Sequence, residues 1–298
     1  MVRPGLLASL VLVCSLCGYP VQSEDDIFPA LEGPYFGQPV PRLEAEPFAP
    51  GLISLPGRYE FALSFSPAGD ELLFNQQVPE AAVSVLYSRV EDGVWTEPLE
   101  VRLSGGAKKE EMEAFFTPDG TRIFFAPYDE GMDVRIWSLD VGPDGWSHPR
   151  ELPSPIADDP AFYPTLSNEG TLYYTNLAAR KIYRAEVDGQ SVGSVEEAGL
   201  EFGLHAFIAP DESFVLVDAR EADSLGESDI YVAFRESDGS WGRPLNLGPG
   251  VNSEFSETCP SLSADGKYLF FSRYNEPNEV SDIYWIDSTV IGVRRDAE

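Results

Sequence analysis

Glu60, Glu111 and Glu257 stand at equivalent places, each at the start of a short apolar run that ends in a turn. Ala161 and Gly203 fill the same column in two further runs. Two residues on, a second column holds Ala62, Glu113, Tyr163, His205 and Cys259. In an extended chain side chains alternate, so residues two apart share one side. If the runs are copies around one axis, Glu60, Glu111, Glu113, Tyr163, His205 and Glu257 gather near one mouth. Carboxylates crowded beside a histidine could hold a cation or a small polar ligand. Like-charge repulsion would also raise a carboxyl pKa. Two carboxylates facing across such a mouth could cleave a glycosidic bond. The plainer reading is that these residues start each inner strand and line a wet channel. No acid and nucleophile stand out, so no residue is given a catalytic role.

Other chemistry is sparse. There is no Gly-x-Ser-x-Gly elbow, no His-Glu-x-x-His pair and no phosphate loop. His148 sits in a polar turn and receives no role. The loop DAREADSLGESD (218–229) offers oxygen ligands in kind, with Asp218, Asp223 and Asp229 foremost, and Glu221 and Glu227 beside them. Calcium is the cation such a loop would hold, but the spacing matches no Asp-x-Asp-x-Asp-Gly pattern. An ordinary solvated acidic loop is the preferred reading, and no cofactor is expected.

The elements that would position these residues repeat along the chain. FFTPDGTRIFF (115–125) reads as two apolar strands hinged on Pro118-Asp119-Gly120. LSFSPAGDELLF, PTLSNEGTLYYT, AFIAPDESFVLV and PSLSADGKYLFFS have the same shape. Aligned on Pro67, Pro118, Asn168, Pro210 and Ala264, they recur at spacings of 51, 50, 42 and 54 residues. Several strands at such a period are the mark of a β-propeller. A third strand follows each hinge, as in VRIWSLDV, KIYRAEV and DIYVAFR. In three units an Asp-Gly turn with a Trp and a Pro comes next: DGVWTEP, DGWSHP and DGSWGRP. Gly takes positive φ without steric cost, and Pro suits an outer strand with a free edge. The Trp residues are expected to pack between units.

The expectation is an all-β propeller of five four-stranded blades. The fifth unit lacks an outer strand, and PFAPGLIS (47–54) resembles PLNLGPGVNS (244–253), so the N-terminal segment is expected to close the last blade. Closure removes the edges that invite aggregation. Six blades is the alternative, and it leaves few residues for the extra one. The ring is expected to be a single domain over 47–298, preceded by an extended surface arm over 24–46.

The TPDG hinge, the DIY strand and the DGSWGRPLNLG turn resemble the WD40-like, or PD40, repeats of TolB-type β-propellers, over essentially all of the mature chain. PYFGQPVPRLEAEPFAPGLIS and FIAPDES are similar to a secreted bacterial subfamily of such proteins. The resemblance implies a propeller fold and an extracytoplasmic location. It implies little about activity, since members act mostly by binding other proteins or are unassigned. Asn168, Ala264 and Ala68 depart from the repeat pattern.

Residues 1–23 read as a signal peptide, with Arg3, an apolar run from Leu6 to Cys17, and cleavage between Ser23 and Glu24. The alternative is a lipoprotein with Cys17 as the lipidated residue, for which Leu16 is a poor fit. Cys259 is then alone in the mature chain, a small buried side chain with no disulfide partner. Asp and Glu number 50 against 20 Lys and Arg, a net charge of −30. That balance repels phosphate backbones and so excludes nucleic-acid binding. The functional expectation is a secreted or periplasmic, monomeric, non-enzymatic binding or scaffold module without a transmembrane segment. Its partner would be an envelope or extracellular protein, or a small polar or cationic ligand. The alternative is a carboxylate-dependent, glycan-cleaving hydrolase with its site at the channel mouth.

Overall fold

A computed structural model describes residues 28–275 and 280–295. The expected signal peptide and Cys17 lie outside the described residues. The chain is nearly all β. Its first strands are β1 (Leu31–Glu32) and β2 (Glu46–Pro47). The repeat around Pro67 supplies β3 (Tyr59–Phe65), β4 (Glu71–Gln77), β5 (Ser84–Glu91), β6 (Val94–Trp95) and β7 (Leu99–Val101). The second supplies β8 (Glu110–Phe116), β9 (Arg122–Tyr128), β10 (Trp137–Gly142), β11 (Gly145–Trp146) and β12 (Arg150–Glu151). The third supplies β13 (Ala161–Leu166), β14 (Thr171–Asn176), β15 (Lys181–Asp188), β16 (Ser191–Val192) and β17 (Glu196–Glu197). The fourth supplies β18 (Phe207–Ile208), β19 (Phe214–Ala219), β20 (Asp229–Phe234) and β21 (Leu245–Asn246). The last supplies β22 (Ser256–Leu262), β23 (Tyr268–Asn275) and β24 (Val280–Asp287), followed by one short helix, Thr289–Arg295.

Within each repeat the strands pair antiparallel; in the first three, two short outer strands (β6 and β7, β11 and β12, β16 and β17) both pair with the third strand, β5, β10 or β15. The first and last repeats join through one parallel bridge, Ser281 to Tyr59. The leading strands touch in a cycle: β3 meets β8, β8 meets β13, β13 meets β18, β18 meets β22, and β22 meets β3. Each repeat therefore presents its first strand to a common centre.

The hinges follow from turn chemistry. Gly120 has φ 68°, a left-handed conformation that a side chain would strain. Thr117 Oγ1 donates to Asp119 Oδ1 at 2.6 Å, and the Thr121 amide donates to the same oxygen at 3.0 Å. In the first repeat Ala68 replaces that aspartate, and Asp70 accepts from Ser66 Oγ at 2.9 Å instead. The turn Trp residues pack across repeats. Trp146 lies edge-on to Tyr87 at 5.0 Å, and Trp241 lies edge-on to Tyr173 at 6.4 Å.

The N-terminal segment is tied down twice. Glu46 and Pro47 of β2 pair with Trp285 and Tyr284 of β24, and the Phe48 amide donates to Ile283 O at 2.7 Å. Upstream, Leu31 and Glu32 pair with Trp95 and Val94. Between them Tyr35 and Phe36 take φ of 53° and 58°. That turn buries Phe36 against Trp95 and sets Tyr35 on Phe65, Tyr268 and Trp285. The segment read as a surface arm thus carries core aromatics over the seam between the first and last repeats.

Candidate functional site

One local distortion builds the site. The pairing register shifts inside β3, β8, β13 and β22, between Phe61 and Ser64, Met112 and Phe115, Phe162 and Thr165, and Thr258 and Ser261. At each shift one residue takes left-handed φ: Ala62 at 51°, Glu113 at 58°, Tyr163 at 53° and Cys259 at 53°. A bulge re-aims its side chain out of the regular alternation. The four bulged residues are four of the five in the second column of the sequence alignment; the fifth, His205, precedes β18 without a bulge. The Asn75 side chain braces one of them: its Oδ1 accepts from the Glu113 amide at 2.6 Å, and its amide group donates to Glu111 O at 2.8 Å.

The second column converges. One donor atom each from Glu113, His205 and Cys259 lies within 4.8 Å of the others. His205 Nδ1 meets Asp218 Oδ2 at 2.6 Å, and Nε2 stands 3.6 Å from Glu113 Oε1. Asp218 Oδ1 also accepts from the His205 amide at 2.8 Å, which fixes the carboxylate. The Tyr163 amide donates to Glu113 Oε2 at 2.7 Å, and its hydroxyl donates to Pro260 O at 2.8 Å. The rings of Phe162 and Tyr163 stand edge-on to the imidazole. Glu113, Tyr163 and Cys259 are buried, while the His205 side chain keeps 18% exposure.

Electrostatics follow from that burial. Burial pushes the Glu113 carboxyl up to about 7, against the opposing pull of His205. Burial alone would lower the His205 pKa, but the Asp218 carboxylate beside it holds it well above the ordinary value. Burial raises the Cys259 thiol, opposed by His205.

The first column does other work. Glu111 accepts from the Leu103 and Ser104 amides at 2.7 and 2.9 Å, pinning the preceding loop. Glu257 accepts from the Ser253 amide at 3.0 Å and from Arg273 Nε at 2.7 Å. Glu60 is fully buried and neither carboxylate oxygen has a hydrogen bond. Of the six candidates, then, Glu113, Tyr163 and His205 come together, Glu111 and Glu257 tie down their own repeats, and Glu60 stays buried apart from them. Cys259 and Asp218 join the cluster. The signal for Cys259 was its column, shared with His205; Asp218 lies on β19, and its pairing with His205 leaves no trace in spacing.

The acidic loop divides similarly. Asp218 faces His205, Asp223 accepts from Tyr231 OH at 2.8 Å, and Asp229 accepts from the Leu225 and Gly226 amides at 2.8 and 3.0 Å. The three carboxylates do not share a centre.

Gly203 shows why the first column changes type. Its φ is +110°, and a Cβ there would lie 2.7 Å from Val217 Cβ. Gly203→Ala is expected to cost about 2 kcal/mol through strain and overpacking. Urea unfolding measures this, and a cost within experimental error would refute the close approach.

No family model and no curated protein matches the chain. Among solved structures it is similar to a TolB-like protein from Agrobacterium tumefaciens, at 18% identity over 77% of each chain and a TM-score of 0.51. It is also similar to the GH43 endo-arabinanase from Bacillus licheniformis, at 12% identity over 79% of this chain and 95% of that one, with a TM-score of 0.52. At these identities the likeness concerns the fold. It is that of a β-propeller, TolB-like in arrangement. No helix among the described residues is long and apolar enough to cross a membrane.

Proposed function

We propose that this chain is an extracytoplasmic PD40-type propeller of five four-stranded blades, with β2 completing the last blade, and that it serves as a non-enzymatic binding or scaffold module. One observation carries the functional part. The cavity at the ring centre, lined by Ala62, Glu113, Tyr163, Phe207 and Ser261, has a volume of about 20 Å³. Small-molecule sites commonly occupy several hundred Å³. A cavity of that size holds no sugar ring, which weighs against the glycan-cleaving alternative. The spacious hollows are on the surface. One of about 720 Å³ lies among Phe202, Glu221, Asp223, Trp241 and Arg243.

The net charge of −30 favours a basic envelope or extracellular protein as partner. Two assays test this reading together. The immobilised chain should retain basic envelope proteins at low salt and release them as ionic strength rises. It should leave a panel of arabinans and other glycans intact. Turnover that disappears in Glu113→Gln would overturn the proposal, and so would failure to retain any protein at low salt.

A further inference from the structure

The geometry points to a zinc site at the centre of the ring, formed by Glu113 Oε1, His205 Nε2 and Cys259 Sγ, with Asp218 orienting the histidine. Three separate strand systems supply these donors, so the site exists only in the folded ring. The His205 to Glu113 separation of 3.6 Å is too long for a hydrogen bond. It suits two ligands of one ion: bonds of about 2.0–2.3 Å at tetrahedral angles place ligand atoms roughly 3.3–3.8 Å apart. The mixed thiolate, imidazole and carboxylate set selects a borderline-soft ion over calcium or magnesium, which take oxygen ligands.

The surroundings are arranged as a metal site requires. A ligating imidazole normally gives its other nitrogen to a carboxylate, which fixes tautomer and ring orientation. Asp218 does this at Nδ1, and its second oxygen is held by the His205 and Leu204 amides at 2.8 and 3.3 Å. Glu113 is pinned through Oε2 by the Tyr163 amide, which leaves Oε1 toward the histidine. The adjoining cavity of about 20 Å³, lined by Glu113 and Tyr163, has room for one water. His205 retains solvent exposure, which gives an ion a way in. Two of the three donors, Glu113 and Cys259, sit on one repeated bulge, and Ala62 holds the same place without a donor.

On binding, zinc takes the place of protons: the thiol and the imidazole each release what they hold, and no redox step is involved. The site is independent of the binding-module reading, since a structural ion would serve a scaffold as well as an enzyme.

The test uses the full mature chain, stripped with chelator and titrated calorimetrically with Zn²⁺. One equivalent should bind, with release of protons and a rise in Tm. Cys259→Ser and His205→Ala should each weaken binding at least about 100-fold, and Asp218→Asn about 10- to 100-fold. Co²⁺ in place of zinc should give a thiolate-to-cobalt charge-transfer band that Cys259→Ser removes. Circular dichroism of the metal-free variants controls for folding, and the Co²⁺ spectrum of the unaltered chain reads the site without any substitution. Zinc affinity unchanged in Cys259→Ser, absence of the thiolate band, or preference for Ca²⁺ would overturn the assignment.

Discussion

Phe48→Ala is expected to cost about 3–5 kcal/mol of unfolding free energy, the range for removing a large buried aromatic. Phe48 is fully buried. Its ring packs edge-on to Trp285 at 5.2 Å, Phe270 at 5.0 Å and Phe65 at 6.2 Å. Phe65 belongs to the first repeat; Phe270 and Trp285 belong to the last. One side chain from the N-terminal segment thus bridges both sides of the seam, directly after the two residues that pair with β24. Its loss leaves a cavity where the neighbours are strand-bound and cannot collapse. Leu99→Ala, at a residue 63% exposed, should change stability by no more than about 0.5 kcal/mol. Urea unfolding of both variants decides the matter. A cost for Phe48→Ala comparable to that of Leu99→Ala would mean the N-terminal segment does not hold the ring together.

The hinges were legible because turn chemistry is local. Asp119, Gly120 and their relatives act through neighbours two or three residues away, so spacing alone reveals them. The pairing of the N-terminal segment with the last repeat was also legible, because its sequence resembles the stretch before β22. The candidate site was legible only to the level of columns. Period-two reasoning treats Glu111 and Glu113 as equivalent, yet the bulge sets them apart. Glu111 keeps regular strand geometry and ties down Leu103 and Ser104. Glu113 takes φ of 58° and swings to the centre. A non-glycine residue in left-handed conformation carries no signature in its own type, and four different types adopt it here. The burial of Phe36 was hidden for the same reason: Gly33-Pro34-Tyr35-Phe36-Gly37 reads as a loop, and its left-handed tyrosine and phenylalanine make it a plug.

At pH 8, Glu60→Gln is expected to stabilise the fold by on the order of 3 kcal/mol, with little effect near pH 4. Burial first, and then the charge of Asp282, push the Glu60 carboxyl up from 4.5 to about 8, while the nearby Leu55 backbone and Arg58 oppose the shift. The folded state therefore holds this proton more tightly than the unfolded chain does. Between pH 4.5 and 8 the folded state binds more protons, so stability must fall as pH rises. Below that window the acid is neutral in both states, and glutamine matches it in shape and polarity. Above it, the native chain holds a buried charge, and glutamine does not. Asp282 is itself raised by burial, so part of the slope should persist in the variant. Burial raises the Glu257 carboxyl as well, so its own slope with pH runs the same way, but its substitution acts through its partners. There Arg273 and Ser253 satisfy the carboxylate, and Glu257→Gln would leave the arginine, 14% exposed, without its counter-ion. At pH 8 that variant should be less stable than the native chain by about 3 kcal/mol. Denaturant midpoints from pH 4 to 9 for the three proteins check both signs. Parallel curves for the native chain and Glu60→Gln would show that water reaches the Glu60 carboxylate and that the raised proton affinity is absent.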